Sequence, residues 1–122
     1  MTKPALRDIS IATAAPVLRE MDSAERKQTP VYGGVLAYFP DALADVARIS
    51  KDGNDQHNPG EPLHWSRHKS NDHLDCVARH LLTPEVDSHL ANAAWRILAA
   101  LQLQQERRLV AAGIMPLSGI TT

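Results

Sequence analysis

The sequence predicts an all-α fold: a small helical domain with an antiparallel helical hairpin, a further helix, a long functional loop and an irregular N-terminal arm. Three observations carry this expectation. Apolar residues in the second half repeat at intervals of three and four, the period of a helix face. Helix-start chemistry recurs at Pro40, Ser70 and Thr83-Pro84-Glu85. No stretch alternates as a convincing strand would. With 122 residues, the chain supports one domain that buries roughly 65% of its unfolded surface.

Residues 1–34 read as the arm. Pro4, Pro16 and Pro30 interrupt it, Leu18 to Lys27 suits a short charged helix, and Gly33-Gly34 marks a break. The arm lies either on the body or on a neighbouring subunit, or is a partly disordered tail. The body spans 35–112. Its first helix runs from about Pro40 to Lys51, with Phe39, Leu43, Val46 and Ala47 as a core face and Gly53 as the stop. Residues 52–69 form a loop, too long to be ordinary and too rich in Trp65, Leu63 and histidine for a solvated linker. The second helix starts at Ser70 as N-cap, carries Asp72 in its first turn and turns Leu74, Val77, Ala78 and Leu81 inward. Only a residue or two then precede the third helix, which forces the hairpin. That helix runs to about Arg108, with Leu90, Ala93, Ala94, Ile97, Leu98 and Leu101 as its core stripe. A flank of Ala91, Ala94, Ala99 and Ala100 suits close packing within the chain or across a dimer, so a homo-oligomer is expected. The tail 113–122 reads as loose.

Charge excludes several classes. Thirteen basic residues against fourteen acidic give a net charge of −1, which leaves no basic excess for dedicated nucleic-acid binding. No apolar run approaches the roughly 20 residues of a membrane span, and the first residues lack the apolar core of a secretory signal. The one cysteine, Cys76, excludes an intramolecular disulfide and fits a reducing, cytoplasmic setting.

All six histidines fall between His57 and His89, and this window holds the candidate chemistry. Asp72-x-x-Asp75 puts two carboxylates about a turn apart, a natural pairing for Mg²⁺; an ordinary capping acid and an Asp75–Arg79 salt bridge would look the same. His64 and His68 stand four apart, but in a loop and without a second ligand pair, so zinc is the weaker reading. His64-Trp65-Ser66-Arg67-His68-Lys69-Ser70 joins an aromatic plane to two cations and a helix N-terminus, which suits a base and a phosphate; a core tryptophan beside solvated cations is the alternative. His80 flanks the hairpin, where it can meet the third helix. His89, Asn92 and Arg96 share a face of that helix, and Asn92 reads as facing a polar pocket.

The run from Gly33 to Ala47, the stretch Gly53-Asn54-Asp55-Gln56-His57-Asn58-Pro59-Gly60, and Leu63-His64-Trp65, Lys69-Ser70, Asp72-His73, Arg79-His80-Leu81 and Ala94-Trp95-Arg96 together resemble the phage-associated family named dATP/dGTP diphosphohydrolase, N-terminal, over about residues 5–108. That resemblance implies the context of MazG-like enzymes, which cleave purine deoxynucleoside triphosphates to monophosphate and pyrophosphate with Mg²⁺ held by paired carboxylates on two helices. It also implies the host cytoplasm as the setting. Asp72 and Asp75 imitate the first pair; the third helix offers Asp87, and position 90 is Leu.

Three functional expectations follow, of which the third is structural and makes the histidine window a subunit interface. In the first, the chain is a Mg²⁺-dependent hydrolase of purine nucleotides, with metal on Asp72, Asp75 and Asp87 and proton transfer by His64 or His80. Tyr38, Asn54, His57, Trp65, Arg67, Lys69, Arg79 and Asn92 would hold the nucleotide. In the second, it is a non-enzymatic module that binds or sequesters a nucleotide or nucleotide-derived signal, or partners a replication enzyme. This module keeps the basic and aromatic residues and needs no complete metal cage.

Overall fold

In the computed structural model, which describes residues 21–67, 69–83 and 88–113, every regular element is helical and no strand occurs among the described residues. These elements are α1 (Ser23–Lys27), a π-helical turn (Tyr32–Leu36), α2 (Pro40–His57), α3 (His73–Leu81) and α4 (Ser88–Ala111). The all-α expectation is therefore met. The expected arm's first twenty residues and the tail beyond Gly113 lie outside the described residues, as do His68 and Pro84 to Asp87. Among the described residues, 21–29 and 102–113 belong to one compact unit and Pro30–Leu101 to another.

In the first unit, Asp22 caps α1 by accepting the Glu25 backbone N–H at 2.8 Å. The distal part of α4 buries Leu109 and Glu106, whose carboxylate accepts from Gln102 at 2.6 Å one turn back. Gly113, at φ +76°, closes α4 in the left-handed conformation that glycine takes without a steric cost.

The second unit holds the candidate site. Pro40 and Asp41 open α2 as the sequence suggests, but the helix does not stop at Gly53. An interior glycine costs about 1 kcal/mol relative to alanine. Here Asn54, just beyond it, is buried and donates to the Glu61 carbonyl at 3.2 Å, so a tertiary contact carries the helix one turn further. Asn54 and His57 consequently stand on a helix, and the loop shortens to 58–72. The loop begins with a tight turn over Asn58-Pro59-Gly60-Glu61. The Glu61 N–H reaches the Asn58 carbonyl at 3.1 Å, and Gly60 takes φ +82°. This is the proline-then-glycine chemistry of a type II turn.

Ser70 is not the N-cap of α3. The helix starts at His73, because the Ser70 hydroxyl is committed to the Asp72 carboxylate at 2.7 Å. α3 ends at Leu81 and α4 is described from Ser88; the expected start of that helix at Pro84-Glu85 lies outside the described residues. The hairpin is nonetheless antiparallel: His73 meets Arg96, and His80 meets His89.

The expected core faces are only partly inward. Leu43 and Val46 are half-buried, while Phe39 and Ala47 are exposed. On α3, Val77 is buried beside Cys76, whereas Leu74, Ala78 and Leu81 face solvent. The largest departure is on α4. Of the expected stripe Ala93 is buried and Ala94 half-buried, but Leu90, Ile97, Leu98 and Leu101 are exposed, and the inward face carries Asn92, Ala93, Trp95, Arg96 and Ala99. The helix is turned about half a revolution from the orientation its leucines suggest. Contacts of Arg96 with α3 and of Trp95 with the loop hold it there.

Candidate functional site

A cavity of about 420 Å³ lies in the Pro30–Leu101 unit, where the end of α2, the 58–72 loop, the start of α3 and the middle of α4 meet. The extended α2 brings Asp52, Asn54 and His57 to it. The loop supplies His64, Trp65, Lys69 and Ser70; α3 contributes His73; α4 contributes Asn92, Trp95 and Arg96.

The two tryptophans meet edge to face, with ring centroids 6.0 Å apart and planes at 81°. The Arg67 guanidinium lies over Trp65 at 4.4 Å, a cation–π arrangement that steadies the ring. His64 is oriented by the backbone: Nδ1 lies 2.9 Å from the Pro62 carbonyl and donates to it, and Nε2 lies 3.3 Å from the Ser66 hydroxyl.

Arg96 organises the deeper wall. Its Nη1 donates to the Ser70 hydroxyl oxygen and to His73 Nδ1, each at 3.0 Å. Ser70 in turn donates to Asp72, and that hydrogen bond, with help from the charges of Arg79 and Arg96, holds the Asp72 carboxyl below its usual range. His73 is buried, and its Nε2 has no hydrogen-bond partner. Burial, reinforced by the Arg96 charge, pushes the His73 pKa down against a smaller opposing pull from Asp72. This ring is a neutral donor awaiting an acceptor.

Of the residues singled out in the sequence, Asn54, His57, His64, Trp65, Lys69 and Asn92 line the cavity. Arg67 acts on it through Trp65. Tyr38 does not line it; that ring is exposed and stacks edge-on against Phe39. Asp72, Asp75 and Arg79 also stand outside its walls, with Arg79 3.7 Å from Asp72 and donating to Cys76. His80 is likewise outside it, with Nδ1 2.6 Å from that of His89. Burial comes first, then the neighbouring His89, Arg96 and Arg79, in lowering the His80 pKa.

No group of three or more His, Cys, Asp or Glu side chains gathers as a metal site among the described residues, and Asp87 lies outside them. The Mg²⁺ expectation thus has no assembled donor set here. Sequence reasoning missed His73 and Trp95 as cavity residues, and placed Arg96 only on the helix face it shares with Asn92. The available signal was Arg96, one turn from Asn92 in a helix otherwise rich in alanine.

Comparison with protein-family models, with curated proteins and with solved structures finds no match for this chain.

Proposed function

We propose that the Pro30–Leu101 unit is a binding module for a phosphorylated, planar ligand of the nucleotide class. One observation carries the reading. A single cavity gathers Lys69, Arg96 and both tryptophans, with Asp52 as the one carboxylate among its lining residues. Arg offers a planar fork to phosphate and Lys a point charge, so together they favour an anion. Trp65 and Trp95 offer aromatic surface to a base, and Asn92 an amide for its polar edge. The buried His73 Nε2–H adds a neutral donor whose partner is missing. The cavity lies within the roughly 300–1,000 Å³ usual for small-molecule sites.

Trp65 and Trp95 are the chain's two tryptophans, so intrinsic fluorescence reports on this cavity. Titration with dATP and dGTP, the ligands implied by the sequence resemblance, should give saturable quenching that Arg96→Ala shifts to at least about tenfold higher ligand concentration. Inorganic phosphate and deoxyadenosine should each bind more weakly than the triphosphate. If no nucleotide changes the fluorescence or releases heat in a calorimeter, the reading fails. Release of pyrophosphate on addition of Mg²⁺ would replace binding with hydrolysis as the function.

A further inference from the structure

The outward face of α4 is built like one half of an interface. Leu90, Ala94, Ile97 and Leu101 follow at intervals of four, three and four, the spacing of a coiled-coil seam, with Leu98 alongside. Leu90 is 60% exposed, Ile97 47% and Leu101 55%. No residue from Ile97 to Gln105 carries a charge. On α3, Leu74 and Leu81 stand seven apart and are 69% and 52% exposed.

The pairings of His73 with Arg96 and of His80 with His89 fix how the hairpin faces. Reckoned from them at about 100° per residue, both apolar stripes turn to the same side of the hairpin. Asn92 and Trp95 turn to the other, toward the cavity. Behind this face the unit buries few apolar side chains among the described residues: Cys76, Val77, Ala93 and Ala99.

We infer that a second copy of this chain docks on the face, α4 against α4 across a two-fold axis. A four-three-four seam interdigitates with its own copy, as an isologous contact requires. The stripe brings no charge that would be left unpaired on burial. Six half-exposed Leu and Ile side chains supply on the order of 300 Å² of apolar area per copy. That is the core of a standard interface of roughly 800 Å² per partner. A lipid surface would instead favour lysine and arginine along the edge of the stripe, and between Leu90 and Leu101 the one cation, Arg96, turns away to His73.

Sedimentation equilibrium of the full chain at micromolar concentrations should give twice the chain mass. Ile97→Glu and Leu101→Glu should each weaken association at least about 100-fold while leaving the helical circular dichroism unchanged. In an independent measurement, Ile97→Cys should be trapped as a covalent pair with oxidised glutathione as oxidant, and Asp45→Cys, exposed on α2, should not. A single-chain mass for the native protein, a persistent dimer in Ile97→Glu, or equal trapping at the two cysteine positions would overturn the inference. Preferential capture of the native chain by lipid vesicles over self-association would overturn it as well.

Discussion

Arg96 Nη1 donates to His73 Nδ1 across 3.0 Å, and this contact decides the state of the imidazole. A guanidinium only donates, so Nδ1 must accept and the ring is neutral with its proton on Nε2. The same nitrogen of Arg96 also holds Ser70, which holds Asp72. One side chain on α4 thereby orders three residues at the entrance to α3.

Arg96→Ala should remove that order and the principal cation of the cavity together. The expected cost is about 1–3 kcal/mol of stability, read from urea unfolding, because buried polar groups lose their partner. Nucleotide affinity should fall at least about tenfold, or 1.4 kcal/mol. Arg96→Lys should restore more of the affinity than of the stability, since it returns the charge without the fork.

Stability should fall on mild acidification. The pKa values of His73 and His80 are both lowered in the folded chain, from an ordinary 6.5. As pH drops through about 6.5 the unfolded chain takes up protons that the folded chain refuses, so stability is full above that pH and is lost below it. The groups facing His73 are Arg96 and Asp72; those facing His80 are His89, Arg96 and Arg79. Thermal melts from about pH 8 to pH 5 should show the decline, and His80→Gln should flatten part of it. A melting temperature independent of pH across this range would contradict the lowered pKa of both rings.

Gly60→Ala should destabilise the unit by about 1–2 kcal/mol, the cost of the left-handed conformation for a residue with a β-carbon. Nothing lies within 4 Å of where that carbon would be. The penalty is therefore one of backbone conformation, and Gly60→Asn should recover part of it in the same unfolding measurement.

Asn54→Ala should loosen the whole 58–72 loop. The buried amide donates to the Glu61 carbonyl and accepts from the Asn58 side chain at 3.3 Å. Loss of both bonds is expected to cost about 1–3 kcal/mol and to speed hydrogen exchange at Glu61 and its neighbours. Unchanged exchange there would mean that the type II turn holds the loop by itself.

Helix periodicity made the elements legible, and the helix directions followed from the hairpin. Which way each helix faces was not legible. Leucine spacing on α4 marks an apolar stripe, but it does not say which side of the helix the rest of the chain packs against. Trp95 and Arg96 won the inward face through contacts with residues some 30 and 23 positions away, and no local pattern encodes those. The cavity was half visible. Trp65, Lys69 and the loop histidines advertised it by composition, whereas His73 looked like one more helix-start residue until Arg96 met it. Gly53 misled because its helix-breaking tendency is worth less than the buried hydrogen bond of Asn54 beyond it.

The burial of Cys76 has one more consequence. The chain's single thiol is sealed against the hairpin with an arginine N–H 2.9 Å from its sulfur. A thiol reagent reaches it only while α3 is lifted away. Labelling kinetics under native conditions then act as a clock on transient opening, and a nucleotide that clamps the cavity should slow that clock in proportion to its occupancy.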